Sequence, residues 1–337
     1  VFHIIERYSV YDHCIEKFTC QSPSVTLEIL LHCGKFGQLT TLTPHEYLVI
    51  QTNVLQYRTI TNEWRRNEML TTVDQLVDRL ETGMRIAVPV DYAGVAMAFT
   101  RPMIARGLRD LDLVCVPTGG LQVDQLIGAG CVRSVETSAV SLGEAGGAPR
   151  FNAAVKEGRI RVIDATCPAV HAGLIAAQKG SPFFPMRGLI GTDVLRNRPD
   201  WRVIDNPFAD AGDPVVLIPA IKPDVAIFHA PMADRAGNVW IGRRRELAPM
   251  AYAATETYVT VDRIVDDNLL ADETTAAGVL PALYVSGIAH VPNGAWPYGL
   301  WGVYPADTDA LKRYAAAART QEGFDAYMAA TENEARA

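Results

Sequence analysis

From Thr72 onward the chain alternates short, continuously apolar runs with stretches of helical spacing, and few folds accommodate that alternation. Thr72 is placed to cap VDQLVDRLE, in which Val73, Leu76, Val77 and Leu80 recur at helical spacing, and Gly83 closes the turn. A strand, MRIAVPV, follows. The unit then repeats as helix TRPMIARGL, strand LDLVCVP, helix LQVDQLIGAG, strand RSVETSAV, helix PRFNAAVKEG, strand RIRVIDAT and helix AVHAGLIAAQKG. Runs such as LDLVCV and VVLIPAI lack the polar alternation of a half-exposed strand, as a parallel sheet covered on both faces requires. The expected fold class is therefore α/β: an open, mostly parallel sheet with helices on both faces.

Open sheets of this kind bind ligands beyond the carboxyl ends of their strands. Four loops fall there: VDYAG (90–94), PTGG (117–120), SLGEAGG (141–147) and MADRAGN (232–238). Glycines in such loops let backbone N–H groups approach an oxyanion closely, which makes Thr118, Gly119, Gly120 and Gly143 candidate binding positions. Glu144 is a lone carboxylate among small residues, and attack on a substrate, lining of a pocket and capping of the next helix are all open to it. His229 ends the apolar run DVAIFH near where a ligand would lie, whereas His171 reads as a packed or capping side chain. Arg243, Arg244 and Arg245 are able to grip a phosphate or a neighbouring subunit, and a solvated charged face is the preferred reading. DRAGN (234–238) has turn chemistry throughout and serves equally as a structural turn or a site wall.

The formal charge of −7 argues against a general nucleic-acid binder, which needs a basic face. No apolar run reaches membrane-spanning length and no signal segment is visible, so the expected compartment is the cytoplasm. The six cysteines form no Cys-x-x-Cys pair; Cys115, Cys131 and Cys167 read as buried free thiols, and neither a metal site nor a disulfide framework is expected. Nucleotide-binding glycine motifs, the serine-hydrolase elbow and the His-Glu-x-x-His motif are missing.

Composition divides the chain. No alanine precedes Ala87, whereas roughly one residue in six is alanine thereafter. Residues 1–68 show no lasting helical or strand period, and two origins are open to them: an appended module, or upstream DNA translated in frame before a start at Met69. The second is the preferred expectation, and residues 69–337 are taken as the functional domain.

The order of segments resembles the α subunit of the class I coenzyme A-transferases, the glutaconate and 3-oxoacid group. The likeness runs from about Thr72 to Ala289. It rests on TGMRIAV, DQLIGAGCVRSVETS, VSLGEAG followed by RFNAAVKEGRIRVID, AAQKGSPFFPMRGLIGTD, APMADRAGN and ELAPMAYAATETYVTVDRIVD. The resemblance implies a two-component enzyme moving CoA between an acyl-CoA and a carboxylic acid through a glutamyl-CoA thioester. CoA is then a co-substrate, with no permanently bound cofactor, no metal, and no nucleic-acid or membrane partner. In that family the nucleophile resembles a Ser-Glu-Asn-Gly motif on the β subunit, which this chain lacks. Glu144 falls at the equivalent loop edge.

Family α subunits carry Gly-Gly-Phe, three residues and Gly-x-Pro after the first strand. Here the stretch is Val88-Pro89-Val90-Asp91-Tyr92-Ala93-Gly94, and Gly94 alone matches. Pro89 has no N–H to offer an oxyanion, so Asp91 and Tyr92 are expected to contact substrate instead. That departure keeps two alternatives open: a ring-opening CoA-thioester hydrolase of the same superfamily, and a non-catalytic scaffold subunit.

Overall fold

The computed structural model describes residues 2–10, 13–22, 25–32, 69–209 and 212–334, with backbone alone for 2–32 and 331–334. The chain divides between Trp64 and Arg65 into two units. In the first, β1 (Phe2–Val10), β2 (His13–Ser22) and β3 (Val25–His32) form an antiparallel sheet in the order β1-β2-β3, with Tyr8 opposite Ile15 and Phe18 opposite Ile29. The rest of residues 1–68, on which the start-site expectation also falls, lies outside the described residues.

In the second unit the strands are β4 (Leu70–Thr71), β5 (Arg85–Pro89), β6 (Leu111–Val116), β7 (Val132–Thr137), β8 (Arg161–Asp164), β9 (Phe183–Met186), β10 (Arg202–Asp205), β11 (Pro214–Pro219), β12 (Val225–Asp234), β13 (Val239–Trp240), β14 (Glu256–Val265), β15 (Val279–Leu280) and β16 (Gly287–His290). The central sheet runs β4-β16-β14-β12-β5-β6-β7-β8, and every pair along that path is parallel. β13 and β15 extend it by antiparallel pairing. The chain winds outward from β5 to β8, then returns to the other side of β5 as β12. The winding therefore reverses between β5 and β12, and open α/β sheets leave a crevice at such a point.

Ten helices fill the connections: α1 (Val73–Val77), α2 (Thr100–Ala105), α3 (Leu121–Gly128), α4 (Pro149–Lys156), α5 (Cys167–Gln178), α6 (Asp193–Asn197), α7 (Leu247–Ala253), α8 (Glu273–Ala276), α9 (Thr308–Ala317) and α10 (Gln321–Glu334), counted among the described residues. Successive strand residues serve opposite faces. Ile86, Val88, Leu113 and Cys115 pack with Leu76, Phe99, Met103 and Leu126 on one face; Ala87, Val114, Val116 and Phe228 pack with Val170, Leu174 and Met250 on the other. Each large apolar side chain so buried contributes roughly 1.5–3 kcal/mol, and both layers are closed. Thr72 caps α1 as expected, its hydroxyl accepting from the Gln75 N–H at 3.2 Å, although the helix ends at Val77 rather than near Glu81.

One strand lies elsewhere than its composition implied. VVLIPAI supplies β11, which pairs antiparallel with β9 and β10 in a separate three-stranded sheet. Its inner side chains, Val216 and Ile218, cover Ala169 of α5 and Trp201. Burial against a helix made the run apolar, not membership of the parallel sheet. A buried ion network reaches between this excursion and the main sheet: Arg198 donates to Glu136 of β7 at 2.9 Å and to Asp200, while Glu136 also pairs with Arg85.

Candidate functional site

β5 and β12 pair only through Val225–Ile86 and Ala226–Ala87 before they part. The chain leaving β5 turns into the gap, and the His229 N–H donates to the Gly94 carbonyl at 2.7 Å. Gly94 has φ +84°, and a Cβ there would overlap the His229 carbonyl oxygen. Glycine is thus required at the crevice for conformation and for space. This approach fixes the preceding residues, Asp91 and Tyr92, on the rim of the sheet.

Asp91 is half-buried against the start of α3. Gly120 caps that helix, and a Cβ on Gly120 would overlap Asp91 Oδ1. The Leu121 N–H donates to the Tyr298 hydroxyl at 2.6 Å, and Tyr298 in turn hydrogen-bonds Asp91. Burial pushes the Asp91 carboxyl up to about 6, with the Tyr298 hydrogen bond opposing part of the rise. Asp91 Oδ1 itself has no partner.

A cavity of about 610 Å³ opens over these groups, lined among others by Asp91, Tyr92, Arg244, Tyr298, Trp301 and Tyr304. The Arg244 guanidinium lies 5.2 Å from the Tyr92 ring centre, and Arg243 lies 4.7 Å from that of Trp301. The arginine run is therefore not a uniformly solvated face. Arg243 and Arg245 are exposed, but Arg244 is half-buried in the cavity wall.

His229 is fully enclosed. Its Nδ1 meets Thr260 Oγ1 at 2.8 Å and its Nε2 meets Asp262 Oδ2 at 3.0 Å, so neither ring nitrogen faces the cavity as a free group. Burial raises the Asp262 carboxyl, yet hydrogen bonds from His229 and from the Asn293 N–H hold it below its ordinary value. Tyr304 also bonds Asp262, which links the histidine to the cavity wall indirectly.

The PTGG and SLGEAGG loops run side by side. Gly119 pairs with Val140, and the Ser141 N–H donates to the Gly119 carbonyl at 3.0 Å. Thr118 is half-buried; Gly119 is wedged against Cys115 and Val123. Gly143, at φ +59°, opens the short turn Gly143–Ala145 that carries Glu144 to the surface. Glu144 is exposed, does not line the cavity, and has no hydrogen-bond or ion-pair partner among the described residues. Nor does it cap α4, whose N-cap is Ala148 without a side-chain bond.

DRAGN is a turn with Asp234, Gly237 and Asn238 buried and Arg235 and Ala236 exposed at its tip. Asp234 accepts from the N–H groups of Ala236, Asn238 and Leu269 and from the Asn238 amide, while Asn238 accepts from Ala282. His171 is half-buried on α5, where burial lowers its pKa. Cys115 and Cys131 are buried, but Cys167 is exposed because it is the first residue of α5, at the surface end of the helix. Among the described residues no three His, Cys, Asp or Glu side chains gather in a metal-binding group, and no helix is long and apolar enough to cross a membrane.

Sequence reasoning brought Asp91, Tyr92 and Gly120 to one place, read Arg244 as part of a solvated face, and missed Tyr298, Trp301 and Tyr304. The signal of those three was the aromatic and glycine-rich stretch GAWPYGLWGVY (294–304), which follows β16 and lies past the end of the resemblance.

Residues 70–290 match the family described as Coenzyme A transferase. The chain is 32% identical over 268 residues to a 3-oxoadipate CoA-transferase subunit of Pseudomonas knackmussii, a span covering 77% of this chain and 92% of that one. It is 29% identical to the cholesterol ring-cleaving hydrolase IpdA subunit of Rhodococcus jostii, over 77% of this chain and 90% of the relative. Among solved structures, glutaconate coenzyme A-transferase from Acidaminococcus fermentans superposes with a TM-score of 0.71 at 26% identity, covering 77% of this chain and 87% of that one. With the parallel sheet, the reversal between β5 and β12 and a family match over most of the second unit, the chain belongs to the coenzyme A transferase family, as a chain of the α type.

Proposed function

We propose that this chain is the α subunit of a two-chain enzyme that moves CoA between an acyl-CoA and a carboxylic acid, with the acyl group held in the cavity beside Asp91. The observation that carries the reading is the meeting of Asp91, Tyr298 and the start of α3 on one cavity wall at the winding reversal. The covalent step belongs to a glutamate of the partner β chain. Its carboxylate adds to the thioester carbonyl and CoA thiolate leaves, giving a mixed anhydride. The thiolate then attacks the glutamyl carbonyl, the anhydride bond breaks, and the first carboxylic acid departs. A second acid repeats the two steps in reverse and leaves as the new thioester.

This chain's part is positioning and proton handling. An acid titrating near pH 6 exchanges its proton easily near neutrality, so Asp91 suits transient hydrogen bonding to a carbonyl oxygen that gains charge. Glu144, exposed on the loop beside PTGG, is assigned a positioning role toward the partner or the CoA. CoA is a co-substrate here, and a cytoplasmic setting, without nucleic-acid or membrane partners, goes with the same reading.

A second reading, thioester hydrolysis, is favoured by one observation: Val88-Pro89-Val90 and then an acidic side chain stand where the resemblance implies a glycine-rich oxyanion loop. Asp91 would then activate water. The purified chain alone is expected to be inactive and to gain acceptor-dependent CoA transfer when combined with the chain encoded by the adjoining reading frame. Free CoA released without any acceptor acid supports the hydrolase instead. Transfer by the isolated chain overturns the two-chain scheme.

A further inference from the structure

α3 is buried along its whole length, yet it carries three polar side chains, and they are not equally served. Asp124 accepts from the Phe151 N–H and from the Tyr314 hydroxyl, both at 2.7 Å. Gln122, 2% exposed, donates its amide to the Ala96 carbonyl and the Thr100 hydroxyl, but its Oε1 is buried without a partner. Gln125, 6% exposed, has no side-chain hydrogen bond at all among the described residues. A buried amide without a partner is costly, and an apolar residue would close the same helix face without that cost.

Gln125 lines a second cavity, of about 400 Å³, that the chemistry above does not use. The volume is in the range of small-molecule sites, which run from about 300 to 1,000 Å³. Thr100, bonded by Gln122, stands in the same wall, and the two glutamines lie three positions apart on one face of α3. Met97, Val291, Trp296 and Pro297 supply apolar surface, and Trp296, 45% exposed, offers a ring face. Arg101 is the one charged residue of the lining among the described residues, and its guanidinium donates to the Met328 carbonyl at 2.8 Å. A cationic ligand would meet that arginine with no carboxylate in the lining to offset it. With Arg101 engaged, the group left to recognise a ligand is the Gln125 amide.

An amide presents a donor and an acceptor side by side, and the complement of that edge is another planar group with N–H and C=O adjacent. We infer that this cavity is a second ligand site, for an uncharged flat ring system carrying such an edge, as a lactam does, with Gln125 reading the edge and Trp296 covering the ring. Neither residue takes part in the chemistry proposed for the first cavity. The two sites are nonetheless neighbours, since Pro297 lines one and Tyr298 the other, a single peptide bond apart.

The full chain is titrated with 2-quinolone, with N-methyl-2-quinolone, which keeps the ring and loses the N–H, and with quinoline-2-carboxylate. Binding is followed by calorimetry and by the fluorescence of Trp296 against a Trp296→Phe control. 2-Quinolone is expected to bind about tenfold more tightly than its N-methyl derivative, the effect of one well-placed hydrogen bond, and the carboxylate no more tightly than that derivative. Gln125→Leu abolishes the difference while melting no lower than wild type, because it removes an unpartnered buried amide. Arg244→Met, which alters the wall of the first cavity alone, leaves 2-quinolone binding unchanged. Equal affinity for the two quinolones, or no binding at millimolar concentration, overturns the inference, as does a preference that survives Gln125→Leu. Tighter binding of the carboxylate also overturns it and assigns the cavity to an anion on Arg101. Loss of 2-quinolone binding in Arg244→Met places the ligand in the first cavity, with the same consequence. Should Gln125→Leu fail to fold, the wild-type ratio and the Arg244→Met and Trp296→Phe titrations decide the matter.

Discussion

In the chemistry proposed above Asp91 is the acid, and its setting has a stability consequence. In the unfolded chain its carboxyl titrates near the ordinary aspartate value, about 3.9, whereas in the folded chain burial moves it to about 6. Between those values the folded state holds more protons than the unfolded one. Stability from this group is therefore greatest below about pH 4, falls as pH rises through 4 to 6, and stays lower above. The facing groups do not reverse the sign: Tyr298 opposes only part of the rise, and burial pushes the neighbouring Cys115 thiol up to about 12, leaving it neutral. Asp91→Asn keeps the shape and removes the charge, so melting at pH 7.5 should rise by about 2–4 °C, or ~1 kcal/mol, while turnover falls. At pH 4 the two proteins should melt together. A variant less stable at pH 7.5 would mean that the carboxylate is held by favourable contacts and is not a strained acid. Asp91 and Tyr92 were legible in the sequence because they follow an unmistakable strand. Tyr298 was not, since its hydroxyl reaches Leu121 across 177 positions of sequence with no local period to announce it.

Among the elements, the junction of β5 and β12 does most to place the site, and Gly94 is its pivot. Gly83 offers an internal comparison: φ is +86° there and +84° at Gly94, but a Cβ at Gly83 meets nothing within 4 Å. Gly83→Ala should cost only the left-handed conformation, ~1–2 kcal/mol. Gly94→Ala adds a collision with the His229 backbone, which no rotamer relieves, and should cost at least ~2 kcal/mol more, read as a lower midpoint in urea unfolding. Equal losses at the two positions would mean that the loop moves freely away from β12. The strands that build this junction were plain from their unbroken apolar runs. β11 was misplaced because a strand packed on a helix and a strand buried in a parallel sheet read alike. The cavity's far wall escaped because aromatic residues among glycines carry no period.

At the scale of the whole molecule, the winding reversal brings the Asp91 and PTGG loops together, while the SLGEAGG loop places Glu144 outward. Met69 belongs to the second unit's packing, its Sδ occupying the space a Cβ on Gly237 would take. We treat residues from Arg65 onward as the part that carries the chemistry, and assign none to those before. We take the outward carboxylate of Glu144, which has no partner among the described residues, as a group for the second chain of the proposed enzyme to meet. The measurement that bears most directly on this is chemical trapping. The two-chain complex, as wild type and as Glu144→Gln, is incubated with acyl-CoA, reduced with borohydride, digested, and mapped by mass spectrometry. The predicted result is an adduct on a partner glutamate in both proteins, with turnover in Glu144→Gln lower by about ten- to a hundredfold, or ~1.4–2.7 kcal/mol of transition-state binding. An adduct on the wild-type peptide containing Glu144, lost together with turnover in Glu144→Gln, would contradict the account and place the nucleophile on this chain.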